Sequence, residues 1–206
     1  MTPVYKFSTA RSIVGPNTYY SSMLAENSVF NPISAASYDL LQTWTTNSQV
    51  TQVNFTNLNA NYGADYKIIQ FRCSLNRTIS GDAGGASLFF NEDTTGANYY
   101  FQGLYASGST GIGSASNTDR ADSIYYSGDG NDYSAALIEI INPFQNQTKK
   151  VAKVISGGMP SSSEDGIRIV GHYYNSTAII DSVRFATGSV FGPGSRISMY
   201  GLKGVE

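Results

Sequence analysis

The chain has little of what most catalytic and metal-binding motifs are made from. Its 206 residues include one cysteine, Cys73, one histidine, His172, and one tryptophan. A single cysteine excludes an intramolecular disulfide and a cysteine-based metal cluster. Cys73 lies in an alternating strand pattern with Arg72 on the opposite face. The expectation is therefore a small buried residue and not a reactive thiol. Charged residues make up only 14% of the chain, and the net charge is −2. An electrostatic nucleic-acid binder carries a basic excess to neutralise phosphates, so no nucleic-acid partner is expected. No run approaches the ~20 apolar residues of a membrane-spanning helix. Met1 to Lys6 carry no charged-then-apolar leader, which predicts synthesis and folding in a cytosol. The sequons at Asn54, Asn76, Asn146 and Asn175 then read as chance in an Asn/Thr-rich chain.

What the chain does have is glycine, 21 residues, and tyrosine, 15 residues, against a background of Ser, Thr and Asn. This composition suits a β-rich protein with many turns and a weakly charged surface. Tyr66 to Leu75 is the clearest strand. Ile69, Phe71, Cys73 and Leu75 share one face, and Gln70, Arg72 and Ser74 share the other. Val53 and Phe55 likewise oppose Gln52 and Asn54. Further strands are expected at 38–44, 51–55, 86–91, 98–105, 122–126, 133–141, 149–155, 167–174, 178–185 and 195–200. Gly81 to Gly85 and Ser127 to Asp132 read as turns. Residues 106–120, 159–166 and 186–194 read as loops. No amphipathic helix is expected beyond one short turn near Ser22 to Asn27. About ten strands at this spacing predict an antiparallel sandwich, and the long crossing loops favour a jelly roll over a meander.

Residues 1–36 differ from the rest. Pro3, Pro16 and Pro32 punctuate them, and proline disfavours long helices and central strands. They are expected to form an extended N-terminal arm, with 37–206 as the sandwich domain. Val4, Tyr5, Phe7, Ile13, Tyr19 and Tyr20 give such an arm something to bury against a neighbouring subunit or a shell.

Candidate chemistry is sparse. A Ser-His-Asp site would need His172, which lies in a strand, and no Gly-x-Ser-x-Gly elbow exists. Asp129, Asn131 and Asp132 cluster in a turn, but their spacing does not fit a calcium loop. Asx-rich turns form for local hydrogen-bonding reasons. Asp119 with Asp122, or Glu164 with Asp165, would serve glycoside hydrolysis only if they faced each other across a cleft. The expectation is a protein that is not an enzyme and needs no cofactor. The tyrosine doublets are a better lead. A doublet in a strand puts one ring in and one out. Outward rings from the set Tyr99, Tyr100, Tyr105, Tyr125, Tyr126, Tyr173 and Tyr174 suit a protein interface or stacking on sugar rings. Tyr99, Tyr105, Tyr126 and Tyr173 are the candidate contacts.

One set of segments carries a resemblance. It runs through Leu88-Phe89-Phe90-Asn91, Asn98 to Tyr105, the small-residue stretch 106–116, and Ile138 to Phe144 followed by Lys149-Lys150. It ends with Ser176 to Ile180 and the terminal Tyr200-Gly201-Leu202-Lys203-Gly204. In this order the segments resemble virion proteins of tailed bacteriophages with a jelly-roll, concanavalin-like fold. The resemblance implies a structural role on the virion: a capsid decoration (cement) protein, a homotrimer bound to the major capsid protein at the capsid surface. The alternative it implies is a tail- or fibre-tip module recognising host surface polysaccharide. The family brings no active site to carry over. The chain has no repetitive shaft and no coiled-coil heptads, which favours decoration over a fibre.

Overall fold

The structure is a computed structural model that describes residues 38–76, 84–107, 111–117, 122–126, 133–158 and 166–203. At 84, 107, 111–117, 122, 123, 125 and 126 only the backbone is described. Tyr38–Gly204 form one compact unit. The arm residues Val4, Tyr5, Phe7, Ile13, Tyr19 and Tyr20 lie outside the described residues, as does the expected turn at 22–27.

The fold is all-β, as expected. Among the described residues twelve strands run β1 (Tyr38–Thr45), β2 (Val50–Phe55), β3 (Ile68–Asn76), β4 (Gly84–Phe90), β5 (Tyr99–Ser107), β6 (Gly111–Asn117), β7 (Asp122–Tyr126), β8 (Tyr133–Ile141), β9 (Lys150–Gly158), β10 (Gly166–Tyr174), β11 (Val183–Phe191) and β12 (Arg196–Leu202). All pair antiparallel. They form an eight-stranded sheet, β1-β12-β3-β8-β9-β10-β5-β6, and a four-stranded sheet, β2-β11-β4-β7.

Apolar alternation decides which face of each strand is buried. In β3 the side chains of Ile69, Phe71, Cys73 and Leu75 enter the core, and in β8 those of Ala136, Ile138 and Ile140 do so beside them. Val53, Phe55, Leu88, Phe90, Val183, Phe185 and Phe191 answer from the small sheet. Phe55, Phe71 and Phe185 meet edge-to-face, with centroids 5.1–6.0 Å apart, a favoured geometry for aromatic rings. Burial pushes the Cys73 thiol well above its ordinary value.

Three local expectations need correction. Residues 106–120 are not one loop, because 111–117 form β6 along β5. A strand of Gly, Ser, Ala and Asn has no apolar alternation to announce it, and its ladder hydrogen bonds do not depend on one. The stretch 186–194 is also partly strand. β11 runs on to Phe191, which is buried and packs edge-to-face on Trp44, after an irregularity beyond Ala186. Conversely, 178–182 are not strand. Asn91 holds their backbone with its side chain, accepting from the N–H of Asp181 and of Ser182 and donating to the carbonyl of Ile179. Helix α1 (Leu58–Tyr62) was not expected; it is five residues long and tied down by the burial of Leu58.

Candidate interface on the outer face of the large sheet

Strand register gathers the outward side chains of the large sheet into rungs. One rung reads Tyr100, Tyr173, Val151, Ile141, Ile68, Leu202 and Tyr38 across successive strands. Two residues further along the strands comes a polar rung of Gln102, Gly171, Lys153, Glu139, Gln70 and Tyr200. Beyond it lies a second apolar rung, Leu104, Ile169, Ile155 and Leu137, ending at Arg72. Apolar residues on this face are unusually open: Leu104 is 55%, Ile169 49%, Ile141 49% and Val151 45% exposed. Scattered exposed apolar residues are normal, but contiguous ones mark interaction sites.

The Gln70, Glu139 and Lys153 members of the polar rung are joined to one another and to Arg72 and Tyr38. Arg72 Nε donates to Gln70 Oε1 (2.7 Å), and Gln70 Nε2 donates to Glu139 Oε1 (2.9 Å). Glu139 also lies 3.9 Å from Lys153 Nζ and accepts from Tyr38 Oη. The Arg72 guanidinium stacks over Tyr200, 4.5 Å from the ring centroid, and over Tyr38 at 5.3 Å. The Glu139–Lys153 pair can be covered by a partner without stranding a lone charge, and Arg72 keeps its hydrogen bond to Gln70 and its stacking on two tyrosines. Arg and Tyr are also the residues enriched where interfaces are strongest.

The structure separates the candidate tyrosines. Tyr173 is on this face, with Tyr100 edge-to-face beside it at 5.9 Å. Tyr99 is fully buried, so as a surface contact it is corrected. Its hydroxyl donates to the Asp93 carbonyl (2.8 Å) and accepts from the Phe90 N–H (3.0 Å). These bonds turn Tyr99 inward and leave Tyr100 as the outward ring. Tyr105 is partly exposed but lies on the opposite face, in register with Arg168. Tyr126 is in β7, and its side chain lies outside the described ones. The sequence reasoning missed the aliphatic members, Val151, Ile141, Leu104 and Ile169. Their signal was available: β8, β9 and β10 carry apolar residues on both faces.

Of the histidine, acid and amide candidates for chemistry, only His172 has a described side chain. His172 is buried on the inner face, stacked on Phe90 at 5.8 Å. Asp119, Asp129, Asn131, Asp132, Glu164 and Asp165 lie outside the described residues. Among the described residues no group of three or more His, Cys, Asp and Glu could hold a metal ion. No helix among them is long and apolar enough to cross a membrane.

No family model matches the chain, and no curated protein matches it either. Among solved structures, the alginate lyase Aly36B is similar at 10% identity over 87% of this chain and 91% of that one, with a TM-score of 0.26. A mutant of that lyase in complex with an alginate tetrasaccharide is similar at 9% identity over 78% and 80% of the two chains, with a TM-score of 0.25. The binding domain of botulinum neurotoxin serotype C1 is similar at 9% identity over 83% of this chain and 44% of that one, TM-score 0.20. The expectation that the chain is not an enzyme is corrected by the first two, which are structures of an enzyme. At these TM-scores the likeness carries no argument for any particular activity.

Proposed function

We propose that this chain is a structural protein of a tailed-phage virion, which assembles through the outer face of its large sheet and decorates the capsid shell. The observation that carries the reading is that face: apolar rungs left open on either side of a charge-compensated polar rung. An apolar sheet surface of this kind is stable in water chiefly when another protein covers it. The strand orders β1-β12-β3-β8 and β2-β11-β4-β7 read as the two halves of a jelly roll, with the hairpins β5–β6 and β9–β10 inserted. Those insertions widen one sheet and supply Tyr100, Leu104, Val151, Ile167, Ile169 and Tyr173, much of the open face. In this reading the arm, residues 1–36, reaches the major capsid protein. Binding only the assembled shell adds free energy to that state by mass action.

The test is attachment to shells that lack the protein. Deleting residues 1–20 is expected to leave the thermal melting of the sandwich unchanged and to weaken co-sedimentation with shells. Undiminished shell binding by the truncated chain would remove the arm from the mechanism, and no binding by the full chain would sink the decoration role. A second reading, a tail-tip module for host polysaccharide, is favoured by one observation, the partly open Tyr100–Tyr173 pair. It requires that polysaccharide change the tyrosine fluorescence and that Tyr173→Ala abolish the change.

A further inference from the structure

We infer that a second copy of this chain covers the outer face of the large sheet, related by a two-fold axis that runs along the strands between β8 and β9. The inference rests on the assembly reading above and names the partner of that same face.

The β8/β9 boundary is the centre of the sheet, with four strands on either side. Across it Glu139 and Lys153 are direct register partners. A two-fold axis parallel to the strands, lying over this boundary, sets β8 of one copy on β9 of the other. It keeps each rung at its own height. Glu139 then faces Lys153 of the copy, and Lys153 faces its Glu139. In the first apolar rung Ile141 meets Val151 of the copy, Ile68 meets Tyr173, and Leu202 meets Tyr100. In the second, Leu137 meets Ile155. The first apolar rung falls on itself, opposite charges fall on each other, and in the second rung Arg72, stacked on Tyr200, meets Ile169 of the copy.

The alternative in-plane axis, along the polar rung and across the strands, fails on charge. It sets Glu139 on Glu139 and Lys153 on Lys153, and like charges placed together at an interface disfavour it. Both axes keep the two sheets near-aligned, as sheets pack face to face once twist is allowed for, so the charges decide between them. Closed two-fold pairing leaves no copy of the face open to a third chain.

Sedimentation of the full chain over a concentration series tests the pairing. The wild type is expected at twice the 22.1 kDa chain mass. Glu139→Lys puts two lysines opposite two lysines, and Lys153→Glu puts two glutamates opposite two glutamates. Each variant alone is expected to raise the dimer Kd by more than about tenfold. An equimolar mixture should recover a dimer, because each face then meets its charge complement. Melting temperatures confirm that both variants fold. Val151→Lys replaces an open side chain outside the polar network, and should give a folded monomer by itself.

A species at three times the chain mass overturns the two-fold arrangement. So does a dimer that all three variants leave intact, or a mixture that stays monomeric. A wild-type monomer that still co-sediments with shells overturns this pairing and leaves the decoration role standing. A wild-type dimer that does not bind shells does the reverse.

Discussion

At the scale of single residues, Asn91 does the most with the fewest atoms. It ends β4 in the left-handed region, at φ 53°, where asparagine is among the few non-glycine residues found readily. Its amide then replaces a missing ladder for 179–182, with bonds of 2.7, 2.8 and 3.2 Å. Asn91→Ala leaves those backbone groups without partners at a site that alanine also disfavours. The expected cost is about 3 kcal/mol, read as a lower urea midpoint at unchanged slope; a loss within about 0.5 kcal/mol would show that water replaces the side chain. Asp93, two residues on, is a pH-dependent counterpart. Partial burial raises its carboxyl, but hydrogen bonds from Thr95, Asn98 and Tyr174 outweigh that and hold it below the ordinary range. A depressed folded value stabilises the protein above the unfolded value, near pH ~3.9, and this contribution fades as pH falls through the folded one. Thermal melting of Asp93→Asn should therefore fall less steeply below about pH 4 than that of the wild type. An identical acid slope would remove Asp93 from the account. The same cluster explains what the tyrosine doublets could and could not reveal. Alternation says that one ring of Tyr99–Tyr100 points in, but only the bonds of Tyr99 to Phe90 and Asp93, distant in the pattern, choose which.

At the scale of elements, legibility followed side-chain contrast. β3, β7 and β8 could be read closely because their apolar residues alternate or cluster in short runs. β6 could not, since its Gly, Ser and Ala residues carry no contrast. The two C-terminal segments are strands as expected, but they belong to different sheets and the first starts later, at Val183. Ile179 and Ile180 ahead of it look like strand, yet Ile180 is buried outside any ladder and its N–H bonds the Pro143 carbonyl. Lys150 shows the converse. A lysine at a strand start reads as solvated, but here it is fully buried, its ammonium donating to the carbonyls of Gln145 and Thr148 and closing the β8–β9 turn. Burial lowers its pKa. Such tertiary hydrogen bonds leave no periodic trace. The apolar rungs of the outer face were similarly hidden, because each strand contributes one or two residues and only register assembles them.

At the scale of the whole molecule, the width of the large sheet makes stability uneven. The β3 strand lies between β12 and β8, and its inner side chains pack under Phe55 and Phe185 of the small sheet. The β6 strand is the edge of its sheet, pairs with β5 alone, and contributes a sequence rich in Gly and Ser. Opening β6 breaks one ladder and exposes little apolar surface, whereas opening β3 breaks two ladders and the aromatic core. Native-state hydrogen exchange should therefore rank the amides of β3, β8 and β12 slowest, near the global unfolding limit, with β6 exchanging first through local opening. Pairing of the outer faces changes this ranking in a specific way. A two-fold centred on β8/β9 covers the middle strands most, so raising protein concentration should slow β9 and β10 while β6 remains fast. Equal slowing of β6 would place the covering partner at the edge of the sheet and not at its centre. No concentration dependence in any strand, at concentrations where the chain sediments as a dimer, would move the contact to a different surface altogether.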